Sequence, residues 1–154
     1  MEFILCSECL LPSTKPDLSF AESGLCSACQ RYQRRKLVNW NQRWEKLKDI
    51  AESCKGKSDW DCVIPVSGGK DSTFQAITAR SLDLNPLLVT SSTCDLSPTG
   101  RKNIENLINI GFDHIQVSPR KDVRNKLNLF GLEQVGDISW PEHVSMFTIP
   151  VNVA

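Results

Sequence analysis

The residues best suited to chemistry form one short run that directly follows the apolar stretch Cys62–Val66, namely Ser67-Gly68-Gly69-Lys70-Asp71-Ser72. An apolar stretch, two glycines, and then hydroxyl and charged residues predict a strand, a phosphate-binding loop and a helix. Glycine lets the backbone approach an anion closely because it has no Cβ and tolerates positive φ. The first N–H groups of a helix lack internal partners and lie at the positive end of its dipole, so they stabilise a phosphate. Lys70 adds a positive charge, and Ser67 and Ser72 add hydroxyl donors.

This run differs from two common phosphate-binding motifs. A Walker A loop requires a glycine five positions before Gly69, where this chain has Ile64, and the run is not G-x-G-x-x-G. The order Ser-Gly-Gly-Lys-Asp-Ser after an apolar strand resembles the PP-loop ATP pyrophosphatases. That resemblance implies a loop that binds the β- and γ-phosphates of ATP, and cleavage between the α- and β-phosphates. The alternative is that Gly-Gly forms only a tight turn between the strand and the helix.

Four of the seven cysteines form two Cys-x2-Cys pairs, Cys6 with Cys9 and Cys26 with Cys29, and sixteen residues separate the pairs. This spacing is typical of a zinc ribbon or knuckle. Metal binding would supply the folding free energy of so small a segment, on the order of 10 kcal/mol for structural zinc. Four thiolates leave no open coordination position, so we expect a structural rather than a catalytic site. An iron–sulfur cluster and four unrelated buried cysteines are the alternatives.

The composition is typical of a globular protein, with 40% hydrophobic and 23% charged residues. Lys+Arg and Asp+Glu both number 18, and a net charge of zero argues against extensive binding to duplex nucleic acid. A cluster of four cations at Arg31, Arg34, Arg35 and Lys36 is interpreted as a solvated helical face. The sequence contains neither an apolar run long enough to span a membrane nor the features of a signal peptide. We therefore predict a cytoplasmic protein whose cysteines are reduced or metal-bound.

Apolar periodicity predicts alternating helices and strands after the cysteine pairs. The strands are predicted at Cys62–Val66, Leu87–Ser91 and His114–Val117. The first predicted helix is amphipathic and covers Asn39–Cys54. The second covers Ser72–Leu82 and is predicted to bury Phe74, Ile77 and Ala79 or the neighbours of Arg80. The third is capped by Ser97 and ended by Gly111, with Ile104, Leu107 and Ile108 on its inner face. A fourth runs through Val123, Leu127 and Phe130 and is closed by Gly131, and a fifth starts at Pro141.

This alternation predicts an α/β fold with a doubly wound parallel sheet that is covered by helices on both faces. Ligands bind such sheets at the carboxyl ends of the strands. Three polar segments would meet there, Ser67–Ser72, Ser91–Asp95 and Ser118–Arg120, and the second is a reasonable wall for an adenosine. Cys94 falls in that segment, but no base is evident beside it, so we interpret it as structural.

Three parts of the chain are predicted to differ in role. Residues 1–36 form a metal-binding knuckle, residues 37–57 form a linker helix, and residues 58–154 form an ATP-binding α/β domain of the PP-loop type. Residues 140–154 are apolar, and the sequence stops within that pattern, which indicates a truncated domain or an end covered by a partner. His143 lies in this stretch and is interpreted as a packed side chain.

Together, these residues resemble one branch of the PP-loop superfamily, the bacterial N-acetyl sugar amidotransferases of surface-polysaccharide synthesis. The resemblance covers nearly the whole chain. The phosphate loop alone would indicate only the superfamily, whereas the paired cysteines and the Ile64-Pro65-Val66 sequence before the loop indicate the branch. The Trp40/Trp44 helix and the segment Asn85–Thr90 also match. Members of this family are considerably longer than this chain.

The resemblance implies an ATP-dependent amidotransferase. The acetamido oxygen of a nucleotide-linked N-acetyl sugar would attack the α-phosphate of ATP, and pyrophosphate would leave. Ammonia from a separate glutaminase subunit would then displace AMP and leave an acetamidino group, as in lipopolysaccharide O-antigen synthesis. By position in the motif, Ser67–Ser72, including Gly68 and Gly69, would bind the nucleotide. Lys70 would neutralise charge and Asp71 would orient the loop or Mg²⁺, which makes these two the expected catalytic residues.

Two other functions are open. A tRNA-thiolating PP-loop enzyme would adenylate a base oxygen before it installs sulfur, and some of these enzymes also carry an N-terminal knuckle. The absence of a clear basic face counts against this alternative. The second is a non-catalytic protein that binds zinc and binds a nucleotide or a partner without cleaving ATP.

Overall fold

The chain divides between Lys46 and Leu47 into two units. The computed structural model describes residues 3–92 and 96–154. The first unit contains helix α1 (Ser27–Arg34) and a 3₁₀ helix at Arg35–Leu37, and helix α2 (Trp40–Cys54) crosses the division. Across the described ranges, no helix combines the length and the apolar character needed to cross a lipid bilayer.

The second unit is built on a three-stranded parallel sheet. Its strands are β1 (Cys62–Pro65), β2 (Pro86–Ser91) and β3 (Asp113–Val117), in the order β1-β2-β3. Ile64 lies opposite Leu88, which in turn lies opposite His114. Helix α3 (Lys70–Ser81) connects β1 to β2, and helix α4 (Pro98–Asn109) precedes β3. The predicted mixed α/β architecture with a parallel sheet is thus confirmed, while the doubly wound PP-loop fold remains a prediction.

The two faces of the sheet contact different helices, because side chains alternate along a strand. Ile64, Val66 and Leu88 lie on one face and form the core with Ala76 and Ala79 of α3, Leu107 of α4, and Phe112. Burying such apolar side chains is the main stabilising term, roughly 1.5–3 kcal/mol for each large one. After β3 come α5 (Lys121–Val135) and α6 (Trp140–Val153), and α6 packs on β1 and β2.

The predicted inner faces of α3 and α4 are partly wrong. In α3, Ala79 is buried as predicted and Ala76 is buried beside it, but Phe74 is 72% exposed and Ile77 is 44% exposed. Small alanines let α3 approach the sheet closely, and the larger apolar residues of the same helix point outward. In α4, Ile104 and Leu107 are buried as predicted, but Ile108 is 44% exposed.

Helix ends follow the predicted signals at one site and depart from them at another. The Ser97 hydroxyl caps α4 as predicted, since it accepts a hydrogen bond from the N–H of Gly100 at 3.1 Å. Gly131 does not close α5, because that helix continues to Val135 and ends at Gly136, which has φ +74°. Instead, Gly131 lets the backbone at Asp137 lie close to α5, since a Cβ on residue 131 would be 2.8 Å from the carbonyl oxygen of Asp137.

Candidate functional site

Four sulfur atoms in the first unit form a compact cluster. The Sγ atoms of Cys6, Cys9, Cys26 and Cys29 all lie within 4.8 Å of one another. Cys6 and Cys29 are 3.8 Å apart, and Cys9 and Cys26 are 3.6 Å apart. Four sulfurs bound to one zinc ion at its usual bond length would be separated by about 3.8 Å. The four cysteines are therefore positioned to hold a metal ion, and their chemistry is consistent with zinc.

Two different local structures present these thiols. The first pair lies on a turn in which the N–H of Leu10 donates to the carbonyl of Cys6 at 3.1 Å, with Leu10 at φ +60°. The second pair opens α1, where Cys26 is the N-cap and its sulfur accepts from the N–H of Cys29. The N–H of Cys26 donates in turn to the sulfur of Cys6 at 3.3 Å. Such N–H···S bonds stabilise thiolates and orient metal ligands.

The thiols of the cluster differ in their acidity. Backbone N–H groups, first that of Cys9 and then that of Cys26, lower the pKa of Cys6 to about 6. The pKa of Cys29 is raised well above its ordinary value, chiefly through its hydrogen bond with the Cys9 thiol. Crowded thiols resist ionising together, and a bound dication reverses that preference.

The second candidate site is the loop between β1 and α3. Gly68 has φ +73° and passes directly over the start of α4, so that a Cβ on it would lie 2.2 Å from the carbonyl oxygen of Gly100. The side-chain amide of Asn103 donates to the carbonyl of Gly68 at 2.8 Å. The loop is therefore held against α4 at two adjacent points.

Helix α3 begins without a side-chain cap. Its N-cap is Gly69, with φ −82°, and no side chain accepts a hydrogen bond at this end. The first-turn N–H groups are then available to an external anion. The hydroxyl of Ser72 donates to the Gly69 carbonyl at 3.1 Å, so in this structure it stabilises the helix start.

The two residues predicted to be catalytic lie side by side at the start of α3. The ammonium of Lys70 is 3.1 Å from a carboxylate oxygen of Asp71, and both side chains are almost fully exposed. A pair this exposed contributes little to stability. Both groups remain free to turn toward a ligand.

A cavity of about 280 Å³ adjoins the loop at the carboxyl ends of β1 and β2. It is lined by Ser67, Ser91 and Leu96, by Pro65, Val66 and Val89 of the sheet edge, and by Met146, Phe147 and Pro150 of α6. The Ser91 hydroxyl is buried and has no hydrogen-bond partner within residues 3–92 and 96–154. An apolar slot with one unsatisfied polar atom is suited to a flat, partly polar ligand.

Other predicted positions take no part in this loop site. Cys94 and Asp95 lie outside the described residues. Arg120 is paired with Asp122 at 2.7 Å. His143 is exposed on α6, so its interpretation as a packed side chain is wrong. Burial raises the pKa of Cys62, which packs against the apolar core as a small hydrophobic side chain.

The contribution of α4 residues to this site was not predicted from the sequence. Gly100 and Asn103 contact Gly68 of the loop although both lie more than thirty positions after it in the chain. The available signal was their helical spacing with Leu107, which places all three on the inner face of α4.

Neither a scan against protein-family models nor a search of the curated proteins finds a match for this chain.

Proposed function

We propose that the second unit binds ATP through the loop Ser67–Ser72 and that the chain belongs to the N-acetyl sugar amidotransferase branch of the PP-loop enzymes. The observation that carries this proposal is the loop itself. It leaves a strand of the parallel sheet, turns at a glycine with positive φ, and enters a helix whose first N–H groups have no side-chain cap. Those groups and Lys70 would hold the phosphates.

The cavity beside the loop supports the same assignment. Ser67 lines it at the loop end, and Ser91 lines it with a buried hydroxyl that has no partner in the described part of the chain. We infer that the adenosine lies there, with its base against the apolar side chains of Met146 and Phe147. A polar edge of the nucleoside would satisfy the Ser91 hydroxyl.

The proposed reaction has two balanced steps. The acetamido oxygen of the sugar attacks the α-phosphorus of ATP, the bond between the α-phosphorus and the bridging oxygen breaks, and pyrophosphate leaves with that bond's electron pair. Ammonia then adds to the activated carbon, AMP leaves with the former acetamido oxygen, and a C–N bond replaces the C–O bond. In the first step, fixed N–H donors and Lys70 stabilise the charge that develops on pyrophosphate.

The residues present fit the two metals that this proposal includes. Asp71 supplies an exposed carboxylate next to the loop, the ligand type that Mg²⁺ prefers, and Mg²⁺ would neutralise phosphate charge. Cys6, Cys9, Cys26 and Cys29 supply the four thiolates of a structural zinc site. A zinc ion there would stabilise the first unit and take no part in the chemistry.

The experiment is a product assay with ATP labelled at the α-phosphate. The protein is incubated with Mg²⁺, ammonium and a nucleotide-linked N-acetyl sugar, and AMP and ADP are separated. We expect AMP and pyrophosphate that depend on the sugar, and we expect Asp71→Ala to abolish both. Asp49→Ala, which removes an exposed carboxylate from α2, is the matched control and should behave like the wild type.

Each other outcome overturns the proposal in a specific way. AMP that requires tRNA instead of the sugar would assign the chain to the thiolating enzymes. ADP as the product would indicate kinase-like cleavage. ATP binding, measured by calorimetry, without any cleavage would indicate a nucleotide-binding protein that is not an enzyme under these conditions. AMP formation that is unchanged in Asp71→Ala would show that this loop is not the site.

A further inference from the structure

Two carbonyl groups of the loop are each held by a side chain from a neighbouring element. The hydroxyl of Thr90 in β2 donates to the carbonyl of Val66 at 2.8 Å. The side-chain amide of Asn103 in α4 donates to the carbonyl of Gly68 at 2.8 Å. Thr90 is only 1% exposed, although it is polar and lies in the core. A buried hydroxyl of this kind stabilises one backbone orientation strongly, because an unmade bond there would be costly.

His114 extends the first of these contacts. Its Nε2 lies 2.8 Å from the Thr90 hydroxyl oxygen. That hydroxyl has one hydrogen, and it donates this hydrogen to Val66, because a carbonyl can only accept. Nε2 must therefore carry a proton and donate to Thr90. The contacts form a directed chain from the His114 ring through the Thr90 hydroxyl to the Val66 carbonyl.

These contacts set the direction of two N–H groups in the loop. A trans peptide bond places the C=O of one residue and the N–H of the next on opposite sides, and no peptide bond in the described ranges is cis. With the Val66 carbonyl turned toward β2, the Ser67 N–H points away from β2. With the Gly68 carbonyl turned toward Asn103, the Gly69 N–H points away from α4. Neither N–H donates to an acceptor among the described residues.

We propose that Thr90, His114 and Asn103 are positioning residues that fix the Ser67 and Gly69 N–H groups for phosphate oxygens. This inference rests on the proposed function of the loop. A rotation of either peptide by half a turn would present a carbonyl oxygen to the anion and replace attraction with repulsion. Donors that are fixed before the ligand arrives need no reorganisation when charge develops.

The test measures binding of inorganic pyrophosphate by calorimetry in the full chain with its metal site loaded. Thr90→Val keeps the shape of the side chain and removes the hydroxyl, whereas Thr90→Ser keeps the hydroxyl. Loss of one oriented donor to an anion should weaken binding roughly tenfold or more. We expect that loss in Thr90→Val and in Asn103→Leu, and near-wild-type binding in Thr90→Ser. Thr148→Val, which removes an exposed hydroxyl that bonds to a carbonyl within α6, is the matched control.

A second readout tests the chain of hydrogen bonds without any ligand. The ¹⁵N chemical shifts of the His114 ring report which nitrogen carries the proton, and we expect Nε2–H in the free wild type. The opposite tautomer would overturn the relay through Thr90. Folded Thr90→Val and Asn103→Leu proteins that bind pyrophosphate as tightly as the wild type would overturn the positioning role. If Thr90→Val does not fold, pyrophosphate binding by Asn103→Leu tests the positioning role, since Asn103 lies outside the apolar core.

If the proposed function is wrong, the binding results differ from those expected when only the positioning role is wrong. A wild type that binds neither pyrophosphate nor ATP would refute the phosphate loop, and the positioning role with it, even with the expected tautomer. A wild type that binds pyrophosphate but whose Thr90 and Asn103 variants bind equally well would refute the positioning role alone.

Discussion

Substitution of Gly68 by alanine tests the closest backbone approach in the second unit. The new Cβ would lie 2.2 Å from the Gly100 carbonyl oxygen and 2.9 Å from its carbonyl carbon and Cα, all backbone atoms that cannot rotate away. The residue would also keep φ near +73°, which costs a non-glycine residue about 1–2 kcal/mol. Overpacking adds about 1–3 kcal/mol. We expect Gly68→Ala to lower the free energy of unfolding by roughly 2–5 kcal/mol.

The assay is urea unfolding followed by tryptophan fluorescence, with Gly136→Ala as the matched control. Gly136 has φ +74°, and a Cβ there would meet no atom within 4 Å. The control therefore has only the conformational cost of about 1–2 kcal/mol. Trp60 and Trp140 report on the second unit, whose transition is fitted separately from that of the first.

The test compares the loss of stability in the two variants. Gly68→Ala should be destabilised by about 1–3 kcal/mol more than Gly136→Ala, because only the former has the contact with Gly100. Equal losses in the two variants would show that the loop does not lie against α4 in solution, and the reasoning about the loop would be refuted.

Three further predictions concern the metal site, acid stability and the packing of α3. Cys26→Ser should weaken the thiolate-to-metal charge-transfer absorption of the cobalt-loaded protein, because one of its four sulfur ligands is lost, and a band of unchanged intensity would contradict a four-cysteine site. Hydrogen bonds from the N–H of Asn85 and, to a smaller extent, the N–H of Gly56 lower the pKa of Asp61. The Asp61 carboxylate therefore stabilises the folded state fully above pH of about 4, and this contribution is lost as the pH falls through the lowered pKa. Asp61→Asn should therefore flatten the acid side of the stability curve in urea titrations, and an unchanged slope would refute this role. Arg80 donates to the carbonyls of Ile110 and Gly111 and stacks 3.4 Å from the Phe112 ring centre, so Arg80→Met should lower stability by about 1 kcal/mol, measured by the urea midpoint.

The sequence predicted those features of the fold that depend on local signals. Apolar runs located all three strands to within a residue, and the Ser97-Pro98 pair located the start of α4. Cysteine spacing identified the four thiols that the fold brings together. Each of these signals is read from neighbouring residues, so no knowledge of the packing is needed.

The predictions failed for features that depend on how the elements pack against one another. Helix α3 carries apolar residues on more than one face, so its sequence does not specify whether Phe74 or Ala76 is buried. The sheet accepts the face with the smaller residues, because α3 follows a short loop and lies close to β1. A glycine in a helical pattern can likewise either end the helix or leave room for another segment to pack against it. Gly131 does the second, because the backbone at Asp137 packs against it. Asn103 carries no local signal of its bond to Gly68, since the partners meet only after folding.

The two loop glycines discriminate between a simple turn and a ligand site. The fold requires glycine at position 68, because of its φ and its contact with Gly100. It does not require glycine at position 69, where φ is −82° and a Cβ would meet only the Ser67 hydroxyl oxygen at an ordinary 3.6 Å. A tight turn thus explains Gly68 and leaves Gly69 unexplained.

A ligand that approaches the backbone closely would account for the second glycine. Gly69→Ala should then fold with a stability close to that of the wild type, because α3 begins there in a conformation that alanine adopts readily. The same variant should bind pyrophosphate roughly tenfold or more weakly, since its methyl group would stand beside N–H groups that the anion must reach. Loss of stability in Gly69→Ala comparable to that in Gly68→Ala would mean that both glycines serve the turn, and the case for a phosphate site would then depend on Lys70 and the uncapped helix alone.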